Sequence, residues 1–305
     1  MAFGRLDVSG AGPSMRIGLV TDSTAQLSAS EEAGLRDVTG DLFAVVPLTV
    51  LVGGVAFADG ELDAGDLCRR MDEGTEVSTS MATPAQFTNA YSTLIDHGAE
   101  AIITVTMSGE LSGTRDSAVA AAENEDLLIN VVDSRTTSAG LAGAVSIAAA
   151  GISQGHDVAS IAGTVADWCA AETRTAFAPA TLEHLRRGGR IGAASSLLGR
   201  ALQIVPVLGL NAGVVAPVAR VRTRTKALER MAVLAGEAAA EIASDEQDVY
   251  VEIQHADGEP SHPDVLALQE KIEASGLPTT FRTLSAIITA HVGSGTIGIT
   301  VQRRP

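Results

Sequence analysis

Ser108, Ser112 and Thr114 bring three small hydroxyls into one seven-residue turn, with Gly109 and Gly113 between them. Apolar residues 101–106 lead into the turn, and a helical pattern over 113–124 follows it. Free backbone N–H groups at a helix N-terminus, together with hydroxyls, hold an anion well. The turn contains no Lys, and Arg115 is its only basic residue. Its chemistry suits a carboxylate better than a polyphosphate. A phosphate loop requires G-x-x-x-x-G-K-[ST], whereas Gly109 and Gly113 are four apart and no Lys follows. A nucleophile elbow requires G-x-S-x-G, which Gly109-Glu-Leu-Ser112-Gly113 does not match. No Asp and His pair stands out as partners for Ser112.

Three other stretches carry polar groups where a ligand could meet them. Asp22, Ser23 and Thr24 end the first apolar run, at the kind of strand end where ligands gather in open α/β sheets. The same residue types are also the usual helix cappers. Thr79-Ser-Met-Ala-Thr83 stands before Pro84, which suits a first helical turn, so its hydroxyls either cap or donate to a ligand oxygen. His291-Val-Gly-Ser-Gly295 is read as a glycine turn between two apolar runs, where backbone can approach a ligand closely. Its imidazole could donate to a carboxylate. His97, His156, His184, His255 and His262 are read as surface or packing residues.

These groups must be positioned by alternating elements. Strands are expected at 16–20, 43–51, 101–106, 127–132, 175–178, 204–208, 214–221, 249–254, 279–284 and 296–302. Helices are expected at 28–38, 64–73, 84–97, 113–124, 138–154, 158–172, 181–187, 225–243 and 263–275. Such alternation implies an α/β fold with a largely parallel sheet. Leu210-Asn-Ala-Gly213 between two apolar runs signals a β-hairpin. The expected organisation is a loose tail over 1–14, an N-terminal α/β lobe over 15–172 and a C-terminal α/β lobe with a mixed sheet over 173–305.

The net charge of −16 excludes generic nucleic-acid binding. Residues 174–230 nevertheless hold ten basic against two acidic groups, giving +8 and leaving −24 elsewhere. This basic region suggests a docking surface or an anionic ligand, and equally fits solvated faces and ion pairs. Only 3% of residues are aromatic, so core and cavity alike must be aliphatic. Cys68 and Cys169 form no CxxC, and no His/Cys cluster surrounds either in sequence. Neither a disulfide framework nor a metal site is expected, and a reducing, cytoplasmic setting fits. The first fourteen residues lack the apolar run of a signal peptide. The apolar run at 141–152 is too short for stable membrane insertion.

Taken together, eight ordered motifs between residues 15 and 302 resemble the DegV family of bacterial fatty-acid-binding proteins. Val20-Thr-Asp-Ser-Thr-Ala25, Val46-Pro47-Leu48, Val77-Ser-Thr-Ser80 with Pro84, and Leu111-Ser-Gly-Thr114 carry the N-terminal part. Val132-Asp133-Ser134, Leu182 through Ile191 with Arg186-Arg-Gly-Gly-Arg190, Arg220-Val-Arg-Thr-Arg224, and His291-Val-Gly-Ser-Gly295 carry the remainder. Met81 replaces the family's usual Gln, and Val205 replaces a Lys before Pro206.

The resemblance implies two α/β lobes enclosing a long acyl chain. It implies that Thr79, Ser80, Ser112 and Gly113 hold the fatty-acid carboxylate, supported by His291 and Arg190. Asp22, Ser23 and Met107 are expected to line the pocket, and Arg186 and Arg187 to dock a partner. That partner would be a separate fatty acid kinase, which makes acyl phosphate for phospholipid synthesis. The carrier itself would have neither catalysis nor cofactor. Two other readings stand beside it: an α/β enzyme acting on an acyl or phosphoryl substrate, and a regulatory protein that senses fatty acid.

Overall fold

The computed structural model describes residues 15–198, 204–242 and 248–304. The expected tail over 1–14, Arg200 of the basic segment and Ala243 of the expected helix lie outside the described residues. The elements begin β1 (Ile17–Asp22), α1 (Ala29–Thr39), β2 (Phe43–Val46), β3 (Thr49–Val52), β4 (Val55–Ala58), α2 (Ala64–Asp72), β5 (Val77–Ser80) and α3 (Pro84–Asp96). They continue with β6 (Ala101–Thr106), α4 (Thr114–Ala122), β7 (Ile129–Asp133), α5 (Ala139–Ser153), α6 (Val158–Ala171), β8 (Thr173–Ala178) and α7 (Glu183–Arg187). The remainder are β9 (Val205–Asn211), β10 (Val214–Val221), α8 (Arg224–Ile242), β11 (Val249–His255), α9 (Pro263–Glu273), β12 (Thr279–Thr283), α10 (Ala286–Val292) and β13 (Ile297–Arg303).

The N-terminal part holds a four-stranded parallel sheet in the order β2-β1-β6-β7. β1 and β6 are buried along their whole length, as parallel strands covered on both faces must be. The C-terminal part holds a six-stranded mixed sheet, β10-β9-β8-β13-β11-β12, in which only β11 and β12 pair in parallel. The expected hairpin is β9–β10. Its tip at Ala212 and Gly213 has φ of 48° and 87°, the left-handed pair that a two-residue hairpin turn needs.

A third, antiparallel sheet, β4-β3-β5, was not expected. The single strand expected over 43–51 breaks at Pro47, which cannot donate to a ladder. β2 therefore stays in the parallel sheet while β3 turns away into the small one. β5 escaped notice because its sequence, Val-Ser-Thr-Ser, is polar and only half-buried.

The short helix α10 was also not expected. Ser285 caps it by accepting from the backbone N–H of Ile288, and Gly293 at φ 87° ends it. His291 thus stands in the last turn of a helix, not in a glycine loop. Strands before residue 134 build the parallel and the three-stranded sheets, and strands after 172 build the six-stranded one. α10 crosses back: its Ala286, Ile287 and Ala290 join the aliphatic core formed by Leu19, Val50, Phe87 and Ile103.

Candidate functional site

The hydroxyl turn is set by β6 and pinned by Asp22 at the end of β1. The buried carboxylate of Asp22 accepts from the backbone N–H of Met107 at 2.7 Å, and from the N–H and hydroxyl of Thr24 at 3.0 and 2.6 Å. Burial pushes its pKa up, and these donors oppose that shift. Ser108 leaves the turn to donate to the carbonyl of Gly213 at 2.9 Å, tying it to the hairpin tip. Ser112 and Thr114 share a hydrogen bond of 2.9 Å, and the Thr114 N–H donates to Ser112 Oγ at 3.3 Å.

Thr79 lies opposite Val50 in β5, and strand alternation turns it inward while Ser78 and Ser80 face solvent. Thr79 Oγ1 lies 2.8 Å from His291 Nε2. Burial, and secondarily the charge of Arg190, depress the His291 pKa to about 4. The ring is neutral near pH 7. Its Nδ1 is buried without a partner, packed where a Cβ on Gly188 would approach to 2.2 Å. Arg190 Nε donates to the carbonyl of Leu111 at 2.9 Å, and Nη1 to that of Gly188. Among the described residues, no carboxylate lies within 4.0 Å of Arg190 to neutralise it.

Thr79, Ser112, Arg190 and His291 all line one cavity. The rest of its wall is largely apolar: Met107, Leu111, Phe177, Leu185, Leu210, Val215, Leu284, Ile288 and Val292. Both halves of the chain therefore build it. Such a cavity suits an amphiphile with a short polar head, since Thr79, Ser112, Arg190 and His291 offer polar groups and most of the remaining wall is apolar.

The other expected residues stand elsewhere. Asp22 is wholly buried in its capping role, outside the cavity lining. Ser23 is also outside it: its hydroxyl donates to Asp59 at 2.9 Å and accepts from the Leu48 N–H at 3.1 Å. Burial raises that Asp59 to about 6. Ser80 is exposed on the opposite face of β5. Gly113 is the residue before α4 and lies under Met81, whose sulfur a Cβ at Gly113 would meet at 2.6 Å. Arg186 and Arg187 are exposed on α7, but both donate to Glu183, whose pKa falls to about 2, chiefly through its hydrogen bond with Arg186. The basic segment is thus partly self-neutralised. Arg224 likewise bonds Asp264 and the carbonyls of Ala178 and Gly295.

Sequence reasoning missed Thr137 and Ser138, which line the cavity with buried, unpartnered hydroxyls. Ser138 adopts φ 53°, a conformation that only its packing at the start of α5 explains and that no residue pattern announces. It also missed Gln254, Thr175 and Thr296, because alternating strand residues conceal which face meets a cavity.

A second, open groove abuts the polar end. Thr79, Arg190 and His291 belong to both linings, and His184, Arg187 and Gly188 extend the groove outward. The groove therefore meets the cavity at its head-group residues.

Residues 16–304 match the family model described as "Uncharacterised protein, DegV family". A DegV domain-containing protein of Streptomyces coelicolor is 34% identical over 293 residues, covering 95% of this chain and 100% of that protein. A solved structure described as the fatty acid binding of a DegV family protein from Thermus thermophilus is 32% identical, with a TM-score of 0.84 over 95% of this chain and 100% of that one. A second, described as DegV, a fatty acid binding protein from Bacillus subtilis, is 25% identical, with a TM-score of 0.80 over 95% and 100% of the two chains. The match over nearly the whole chain leaves one conclusion: this protein is a member of the DegV family.

Proposed function

We propose that the chain binds a long-chain fatty acid, with the tail in the cavity and the carboxylate at Thr79 and Ser112. The observation that carries this reading is the pairing of Thr79 with His291, and of Arg190 with the Leu111 carbonyl beside Ser112, in the wall of a cavity whose lining is otherwise mainly apolar. The fatty acid binding of the Thermus thermophilus and Bacillus subtilis relatives supports it. Each methylene buried contributes about 0.8 kcal/mol, so the tail supplies most of the affinity. The carboxylate must still find donors, because an unpaired buried charge is costly. A neutral His291 with its proton on Nε2 donates to Thr79, which frees the threonine proton for the ligand. Arg190 adds positive charge, but its Nε and Nη1 are occupied by carbonyls, so one carboxylate oxygen stays available.

The same reading makes the protein a carrier for a fatty acid kinase that forms acyl phosphate for phospholipid synthesis, in the cytoplasm. The groove beside His291 gives a phosphoryl donor its approach; Arg187 of α7 lines it, and Arg186 is its neighbour on the same helix. The lobes over 15–172 and 173–305 close on the acyl chain from two sides. Absence of catalysis fits the geometry: Thr79 and His291 form a hydroxyl–imidazole pair, but no carboxylate orients Nδ1, and an imidazole with a pKa near 4 is a weak base. Both cysteines are free thiols, and no described helix is long and apolar enough to cross a membrane.

Native mass spectrometry of the purified protein tests the binding step and should show one co-purified fatty acid. A protein that stays empty after incubation with oleate and palmitate overturns it. Incubation of the loaded protein with a fatty acid kinase and ATP tests the carrier step, through trapping of acyl phosphate as hydroxamate. Turnover equal with free oleate alone removes the carrier role, as does turnover unchanged when Arg186 and Arg187 are both replaced by Glu removes their docking role.

A further inference from the structure

Ser23 and Asp59 lie outside the cavity lining, yet they are tied to the helix that carries His291. Ser23 follows β1 and Asp59 follows β4. The Ser23 hydroxyl donates to Asp59 Oδ2 at 2.9 Å and accepts the Leu48 N–H at 3.1 Å. The Asp59 N–H donates to the Leu48 carbonyl at 2.9 Å. Asp59 Oδ1 in turn accepts the backbone N–H of Ile287, in the first turn of α10, at 3.4 Å. The Ser285 hydroxyl adds another neutral donor to the same carboxylate. A half-buried carboxylate loses hydration, and these donors offset that loss only while α10 stays in place.

The three-stranded sheet thereby holds α10 at two points. β5 supplies Thr79, which meets His291 in the last turn at 2.8 Å. The end of β4 supplies Asp59, which meets Ile287 in the first turn. The two points are four residues apart, or about 6 Å along the helix axis. Residues at that spacing share a face, and both Ile287 and His291 line the cavity. A seven-residue helix has too few internal hydrogen bonds to persist by itself, so its register depends on what it is fastened to. The contact at His291 alone would leave α10 free to turn about that point. A second contact one turn away removes that freedom, and a negative charge there also favours the helix dipole.

We propose that Asp59, braced by Ser23, is a positioning residue for the head-group site: it fixes the register of α10 and so keeps His291 on Thr79. The proposal rests on the reading of Thr79 and His291 as head-group residues. It gives Ser23 of the Val20–Ala25 motif a role outside the cavity.

The test uses the full chain. Asp59→Ala should weaken binding of a fluorescent fatty acid about ten-fold at pH 7.5. Asp59→Asn keeps a carbonyl oxygen for the Ile287 N–H and should recover most of that loss. In a chain already carrying His291→Asn, Asp59→Ala should cost less than about two-fold more, because both substitutions act through one ring. A purely structural role would add its full loss there, and that result overturns the proposal. The second readout needs no fatty acid. The His291 titration, followed by NMR and assigned by its absence in His291→Asn, should move in Asp59→Ala from about 4 toward the ordinary 6.5 as the ring leaves its buried seat. An unmoved titration in folded Asp59→Ala overturns the proposal as well. Ser23→Ala is the milder variant and serves if Asp59→Ala does not fold: both readouts should shift in the same direction, and wild-type values for both overturn the braced anchor. Fatty acid affinity unchanged by His291→Asn would count against the head-group reading, while the titration still decides the anchor, so the two proposals fail separately.

Discussion

His291 Nε2 lies 2.8 Å from Thr79 Oγ1, although 212 residues separate them in sequence. The bond joins the last turn of α10 to the inward face of β5, and so links the two parts of the chain at the polar end of the cavity. What Thr79 can offer depends on the histidine tautomer, and a proton on Nε2 makes Thr79 the acceptor. A hydroxyl that accepts from imidazole keeps its own proton for a ligand.

Thr79→Val and Ser112→Ala should each weaken binding of a fluorescent fatty acid by about ten- to hundred-fold. That follows from about 1.5–3 kcal/mol for a hydrogen bond to a charged group. The two share one ligand carboxylate, so the double variant should lose less than the sum. Unchanged affinity in the double variant moves the head group elsewhere.

Gly188→Ala should reduce binding without unfolding the protein. The added Cβ would stand 2.2 Å from His291 Nδ1 and must displace the ring from Thr79. Gly188 itself has φ −73°, which alanine adopts without strain. The expected result is a weakened ligand affinity with a melting temperature within a few degrees of wild type. Wild-type affinity would show that the ring position does not matter.

His291 sets a pH dependence of known sign. Its folded pKa is about 4, against about 6.5 for an unfolded histidine. Between those values the unfolded chain binds the extra proton, so stability is full above pH 6.5 and falls as pH drops through 4. His291→Asn should therefore show a shallower loss of melting temperature than wild type between pH 7 and pH 4. Fatty acid affinity should stay flat from pH 6 to 8; a transition centred near 6.5 would assign His291 an ordinary pKa.

Arg282 should matter to stability rather than to binding. From β12 it bonds the buried Glu252 at 2.6 Å, Glu31 at 2.5 Å and the carbonyl of Gln26, which fastens α1 to the six-stranded sheet. Arg282→Met strands two carboxylates, and removal of one partner from a buried ion pair costs about 3–5 kcal/mol. Urea denaturation should show that loss, and Glu252→Gln in the same chain should recover part of it. A loss below about 1 kcal/mol would show that water reaches these groups.

Local information in the sequence carried much of the architecture. Apolar periodicity marked β1, β6 and the helices around them, and Leu210 through Gly213 marked the hairpin. The Ser112 turn was legible because glycine and hydroxyl residues beside a strand have few other uses. Three things were not legible. The polar strand β5 has no apolar signature, so the inward turn of Thr79 followed only from its pairing with Val50. Asp22 and Ser23 look like site residues by type, yet hydrogen bonds to Met107 and Asp59 hold them away from the cavity. Asp59 has no signature of its own until the end of β4 meets α10. By itself, then, the sequence determined the α/β alternation, the family motifs and the chemistry of single turns, because these depend on neighbours a few residues apart. Which hydroxyl faces the cavity, where His291 rests and what Asp59 meets were decided by tertiary packing, because burial and hydrogen bonding act between groups that only the folded chain brings within a few ångströms.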